Sequence, residues 1–356
     1  MADFVHLHVH TQYSLLDGAI RLKAEMDKPL EERVDLVGLV RRHGMKAVAI
    51  TDHANMFGAI GFYKACLAEG VQPILGCEVN VKRDTGAWGA AAERAPVDHL
   101  VLLAASEKGY HNLVRIVSLG HVQPASDVGP SVAIETIAAN ASDVVILTGC
   151  LGGRVAQSVL HHGPEAADPA LAELRDIADP GHLFVELQHH GFPEQPVLNG
   201  ILAEAAARMG LPIVATNDVH YAHAQDAEAQ LMLNCIHTGT RYSEAKVLHH
   251  GSKEMYLKSP EQMAARFSQW PQALQQTLAV AEMCGSWKLV LGKSTLPTFD
   301  LPEGQDTTTY FIKVAMDGLQ QRFDEYRRIG KPVDESAYRQ RLEREISVIV
   351  EMQFPG

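Results

Sequence analysis

Two short repeats of charged and aromatic residues stand out because each falls where a strand is expected to run out. In the stretch Phe4 to His10, His8 and His10 are two residues apart. An extended chain turns alternate residues to one side, so both imidazoles enter one space, which is metal-ligand geometry. His6 extends the alternation, with Val5, Leu7 and Val9 on the opposite face; a polar face that meets solvent is the bland alternative. The second repeat, Asp218-Val219-His220, follows the apolar run Pro212 to Thr216 and repeats the logic. Together these predict one buried cluster that binds several metal ions and hydrolyses a phosphate ester, with Asp218, His220 and His10 as the candidate catalytic groups.

The stretches between add candidates of unequal weight. Ala47 to Thr51 is apolar and ends in Asp52 and His53. Functional groups of α/β barrels and open sheets gather at the carboxyl ends of strands, although Asp52 alone reads equally well as a helix cap. Glu78 lies inside the apolar run Pro73 to Val81, where an unpaired charge is expensive, so it needs a cation, metal or salt bridge. Asp17 precedes Gly18, a pairing commoner in turns than in ligand sets. His99 stands at the amino end of its strand and fits the carboxyl-end rule only if residues 83 to 96 reverse the chain as a hairpin. Cys150 follows Val144 to Thr148, where a small core residue is the ordinary reading. Mixed nitrogen and carboxylate donors suit zinc, manganese or iron, and they exceed one tetrahedral shell. A multinuclear site of this kind acidifies a bridging water and stabilises the entering and leaving oxygens of a phosphoryl displacement.

The elements that must carry these residues show a β/α rhythm. Seven apolar runs read as strands: Phe4 to Val9, Ala47 to Thr51, Pro73 to Val81, Leu100 to Ala104, Val144 to Thr148, Leu183 to Leu187 and Pro212 to Thr216. Helical patterns cover Leu30 to His43, Met56 to Glu69 and Gln195 to Met209, and each stops at a glycine. A barrel-like α/β fold is expected, and a doubly wound open sheet fits the rhythm equally well. After Cys284 the pattern changes. Residues 286–306 read as a linker with Pro297 and Pro302, and 307–356 as a helical extension whose last helix carries an apolar stripe of Tyr338, Leu342, Ile346 and Ile349. That stripe has no domain of its own to face, so the chain is expected to be cut from a longer protein or to pack its tail on a partner.

Composition narrows the function classes. With 356 residues, 46% hydrophobic and 21% charged, the chain exceeds one typical domain and is neither disordered nor membrane-embedded. No secretory signal is evident, and the cytoplasm is the expected location. Five scattered cysteines, odd in number and without a CxxC pair, argue against a disulfide framework and a cysteine-only zinc site. A net charge of −12 disfavours a general electrostatic grip on nucleic acid, so any DNA must be engaged locally or through metals. Eighteen histidines are the unusual count, concentrated near the strand ends.

In order, HLHVHT, AITDH, GCEV, HLVLLA, LTGCLGG and ATNDVHY resemble the PHP (polymerase and histidinol phosphatase) domain. YSLLDGA, MFGAIGFYKA, ELQHHGFPEQ, MYLKSPEQM and the final EMQFPG further resemble the N-terminal part of the alpha subunits of bacterial replicative DNA polymerase III, over nearly the whole chain. The resemblance implies a distorted seven-stranded (β/α) barrel over 1–285 holding three divalent metal ions. It implies nine ligands: His8, His10, Asp17, His53, Glu78, His99, Cys150, Asp218 and His220. It also implies 3′–5′ proofreading of a DNA primer 3′ end within a replisome that includes a sliding clamp. Some members of the family have lost ligands and sit beside a separate exonuclease subunit; all nine positions here hold plausible ligands. The magnesium-dependent polymerase site is implied to lie beyond Gly356, so this chain is not expected to extend a primer. Two departures are His189 in ELQHHG, where Asp is common, and a longer stretch from Lys23 to Glu32. Two other classes stay in view. One is a metal-stabilised docking module without catalysis; the other is a free-standing small-molecule phosphatase, against which the KSPEQM segment and the helical tail argue.

Overall fold

Short, fully apolar runs give strands buried on both faces, and here they assemble around one interior. The computed structural model describes residues 3–22, 28–83, 97–127, 129–244, 252–292 and 299–356. The chain divides into two compact units, Met1–Leu289 and Val290–Gly356.

The first unit alternates strands and helices. In chain order they are α1 (Leu36–Arg42), β1 (Ala47–Ile50), α2 (Ala59–Ala68), β2 (Gln72–Lys82), β3 (Val97–Ala104), α3 (Glu107–Val122), α4 (Ile134–Ala138), β4 (Val144–Leu147), α5 (Arg154–His162), α6 (Ala167–Ile177), β5 (Leu183–Gln188), α7 (Gln195–Met209), β6 (Ile213–Thr216), α8 (Ala227–Thr238), α9 (Pro260–Arg266) and α10 (Pro271–Cys284). The six strands form one sheet in sequential order, a curled half-barrel flanked by helices. β1 and β2 are parallel, as are β4, β5 and β6, whereas β3 is antiparallel to both its neighbours. The reversal between β2 and β3 is the one His99 required; the connecting residues 84–96 lie outside the described residues.

Six strands, rather than the expected seven, make continuous ladders among the described residues. The segment predicted as the first strand is extended but contributes single bridges, His6 to Val48 and Val9 to Val219. Its bonds alternate between two neighbours: Ala49 N donates to His6 O (2.8 Å) and Thr51 N to Val9 O (2.9 Å). On the other side His10 N donates to Val219 O (2.7 Å) and Val219 N to His8 O (3.0 Å). The segment therefore joins β1 to the residues after β6. The expected strict alternation also fails, because Val5 and Leu7 enter the inner core while His6 Nε2 meets Lys258 O at 2.9 Å, away from His8 and His10.

Strand periodicity sorts the interior into layers. Ile74, Val101, Leu103, Val145, Leu147, Phe184 and Val214 form an inner apolar core closed by Val280, Ala281 and Cys284 of α10. Two-residue steps along the same faces lead from Ile74 to Glu78, from Val101 back to His99, from Phe184 to Glu186 and from Val214 to Asp218. The polar layer at one end is thus the continuation of the core pattern. A larger apolar cluster packs the outer faces of the sheet against the helices.

Helix stops follow their glycines, with Gly44, Gly70 and Gly210 at φ of +72°, +66° and +66°. The helix expected over Leu30 to His43 is split. Leu30–Glu32 is a short 3-10 turn, and α1 begins after Asp35, which caps Gly38 N (2.9 Å) while pairing with Arg33. In the second unit, α11 (Thr307–Arg328) and α12 (Glu335–Glu351) pack together, with Phe323 and Ile346 buried and the Phe323 and Tyr338 rings edge to face. The apolar stripe of the last helix therefore does have α11 to face. No described helix is long and apolar enough to cross a membrane.

Candidate metal centre

All nine side chains singled out in the sequence converge at one end of the strands. His8 Nε2 lies 2.9 Å from Glu78 Oε2, 3.1 Å from His10 Nε2 and 3.3 Å from Asp218 Oδ1, which is itself 3.2 Å from His10 Nε2. Glu78 Oε1 faces His53 Nδ1 (2.7 Å) and His99 Nδ1 (3.1 Å), and Cys150 Sγ lies 3.5 Å from that same His99 nitrogen. Asp17 Oδ2 faces His53 Nε2 (2.8 Å) and His220 Nε2 (3.4 Å). The His10 ring stacks against both His53 and His220, at centroid distances of 4.0 and 4.3 Å. Three overlapping donor groups result: His8, His10, Glu78 and Asp218; His10, His53 and His220; Glu78, His99 and Cys150.

Local sequence explains how each is delivered. Asp52, open to a capping role in the sequence, instead accepts from Thr11 N (2.6 Å) and the Ser14 hydroxyl (2.7 Å), pinning the turn that presents Asp17. Within that turn Leu16 takes φ of +61°, and a Cβ on Gly18 would overlap the Thr11 carbonyl, so only glycine fits there. Asp218 has φ of +43°. Its predecessor Asn217 is anchored to Glu254 O and Tyr256 O (both 2.8 Å) and its successor Val219 to the His8 segment, so Asp218 alone absorbs the bend. Aspartate tolerates this left-handed conformation better than most residues.

The electrostatics are those of a proton-loaded donor set. Burial opposes charge on His8, but Asp218 and then Glu186 outweigh it and hold the ring well above the ordinary histidine range. Burial, then His53 and His220, press His10 down to about 3. Against burial, Glu78 and Asp17 lift His53 to about 10. Glu78, though buried, is held well below the carboxylate range by His99 and His53, and Asp218 likewise by His8 and His220. Burial, reinforced by Glu78 and Asp218, keeps the Cys150 thiol protonated.

These residues fit a set of divalent ions. Among the described residues Asp218 Oδ1 is buried with no hydrogen-bond donor, and the imidazole nitrogens His8 Nε2 and His10 Nε2 crowd against it. A buried thiol becomes a ligand only when a cation removes its proton, and soft sulfur with imidazole and carboxylate suits transition metals.

Glu186 was not picked out from the sequence. It is 2% exposed, and its Oε1 lies 2.7 Å from His8 Nδ1. The signal was available, since Glu186 sits in an apolar strand just as Glu78 does. His189 is directed to Arg266 at a long 3.5 Å, whereas its neighbour His190 lines the cavity. That cavity, about 460 Å³, opens over the cluster and has an apolar wall that includes Phe192, Leu231 and Met255.

Comparison with known proteins places this arrangement in a family. A PHP domain model matches residues 6–190. The DNA polymerase III subunit alpha of Treponema pallidum (strain Nichols) is 34% identical over 358 residues, covering 99% of this chain and 29% of that protein. The subunit of the same name from Thermus aquaticus is 35% identical over 337 residues, covering 90% of this chain and 26% of that protein. The chain thus spans less than a third of the length of these relatives. A solved structure described as a putative metal-dependent phosphoesterase from Bifidobacterium adolescentis aligns over 62% of this chain and 88% of its own, at 18% identity and a TM-score of 0.39. Because the family match takes in more than half of the sequence, and with it seven of the nine converging donors, this chain belongs to the PHP domain family.

Proposed function

We propose that this chain forms residues 1–285 into a phosphoesterase domain that binds three divalent ions through the nine donors and hydrolyses the 3′-terminal phosphodiester of DNA. In this reading it works as part of a longer bacterial replicative polymerase. The observation that carries the reading is the convergence of nine donors from seven separate stretches of chain, eight of them in three overlapping groups and Asp17 beside His53 and His220. The names of the relatives supply the substrate class.

Divalent ions bound there supply Lewis acidity and neutralise charge at the phosphate. The remaining work belongs to the chain. His8, His10, Glu78 and Asp218 form the buried floor, and His53, Asp17, His99 and Cys150 the walls. His220 Nδ1 is fixed on the Asp218 carbonyl at 2.8 Å, leaving Nε2, directed toward Asp17, as the nitrogen that would meet an ion. Lys253 puts an exposed ammonium on the rim of an otherwise carboxylate-rich cavity, suited to a backbone phosphate, while the apolar wall suits a single unpaired base.

The test is a primer with a mismatched, labelled 3′ end, incubated with the purified chain and added manganese or zinc. Stepwise shortening is expected, with Asp218→Asn at least about a thousandfold slower. Asparagine suits the positive φ of position 218, so loss of activity would report lost chemistry. Undiminished activity in that variant, or no shortening with any divalent metal, would sink the assignment. A chelator-sensitive melting temperature without hydrolysis would instead identify a metal-stabilised docking module.

A further inference from the structure

Glu78 and Glu186 are both buried carboxylates on inward faces of strands, but their surroundings differ in kind. The hydrogen-bond partners of the Glu78 carboxylate are imidazoles, His8 and His53, with His99 in ion-pair range. Glu186 meets donors from four residues. Its Oε1 accepts from His8 Nδ1 (2.7 Å), from Gln188 Nε2 (2.9 Å) and from the Thr216 hydroxyl, and its Oε2 accepts from Gly149 N (3.0 Å). Oε1, the oxygen turned to His8, is fully used by its three donors, and Glu186 belongs to none of the three donor groups.

We infer that Glu186 is the positioning residue of the metal centre: it holds a proton on His8 Nδ1, so that Nε2 is the atom turned to the ions. A histidine ligand keeps one nitrogen protonated and is oriented by what that N–H meets. Here the partner is a buried carboxylate that also ties together three chain segments. Gly149 immediately precedes Cys150, Thr216 stands two residues before Asp218, and His8 is itself a donor. One side chain therefore sets the tautomer of one ligand and the backbone position of two others. The inference rests on the reading that the cluster binds divalent ions.

A glutamine at this position cannot do the same. Its amide has one acceptor and one NH2, so either the NH2 opposes Gly149 N–H or it donates to His8 Nδ1 and drives the proton onto Nε2. In competition with a chromophoric chelator, Glu186→Gln is expected to hold its tightest zinc ion about 10–100-fold more weakly than wild type, and Glu186→Asp, which keeps the carboxylate, less weakened. In the zinc-loaded wild type, nitrogen-15 imidazole spectra should show His8 protonated at Nδ1 and metal-shifted at Nε2. His8 bound through Nδ1, or equal zinc affinity in Glu186→Gln, would overturn the inference while leaving the metal-binding reading intact. A wild type that takes up no zinc would end both. Should Glu186→Gln fail to fold by circular dichroism, the wild-type spectrum alone decides.

Discussion

His8, His10 and Glu78 lie on the floor of the cavity with side chains at most 1% exposed, whereas Asp17, His53 and His99 stand at its mouth with side chains 23–31% exposed. The same residue types do different jobs at the two levels. On the floor, water cannot share the charge, so every proton gained or lost must be balanced by a neighbour or an ion. At the mouth, solvent screens the same groups, and a ligand can be removed without leaving a stranded charge. Floor residues should therefore govern stability as well as ion binding, and rim residues ion binding alone.

The largest test is of the floor. In chelator, Glu78→Ala leaves the buried His8 imidazolium without one of its acceptors and is expected to cost about 3–5 kcal/mol by urea denaturation. Restoring zinc or manganese to the wild type at a thousand times Kd should add about 4 kcal/mol, read as a concentration-dependent rise in melting temperature. A Glu78→Ala protein as stable as wild type without metal would erase the distinction between floor and rim.

A smaller effect lies one layer behind the floor. Lys258 has a buried side chain whose ammonium reaches Asn217 Oδ1 (3.3 Å) and Glu254 Oε2 (3.2 Å), and its carbonyl meets His6. Burial presses its pKa down to about 8 against the pull of Glu254. Below pH 8 the lysine is charged in both folded and unfolded chains, and the full burial penalty counts against folding. Between pH 8 and 10.5 the folded chain sheds the proton while the unfolded chain keeps it, so this group makes stability rise with pH, by up to roughly 3 kcal/mol. Wild type should gain on Lys258→Met over that window in parallel denaturant titrations; a constant gap would show the ammonium to be solvated.

Much of this layering could be read before any coordinates. Apolar runs marked the six ladders to within two or three residues because two-sided burial leaves no polar positions to confuse the pattern. Glu78 was visible as a charge in such a run, and the loop at 83 to 96 made the reversal of β3 readable. Glu186 carried the same signal, at the head of the ELQHHG stretch that was read only for His189. Asp17 and Cys150 were not legible locally: each owes its place to a turn whose shape depends on distant partners, Asp52 holding the one and Glu186, through Gly149, the other. The first segment misled in its regularity, since the chain bends at His8 and sends Val9 into the outer cluster while Val5 and Leu7 enter the inner one.

The smallest expected effect is on the rim, and it is the one that separates the two levels most cleanly. His99 reaches the cluster from the amino end of β3, with its Nδ1 facing both Glu78 Oε1 and Cys150 Sγ and nearly a third of its side chain in solvent. Truncation to alanine leaves Glu78 still facing His8 and His53, so no buried carboxylate is abandoned. In chelator, His99→Ala should therefore fall within about 1 kcal/mol of wild type. With metal, the group of Glu78, His99 and Cys150 loses its only nitrogen donor, and one ion fewer should be retained at equilibrium dialysis. A variant that matched Glu78→Ala in lost stability would mean that β3 is held in place by its histidine. That outcome would move His99 from the rim to the floor, and the division would then follow strand position instead of exposure.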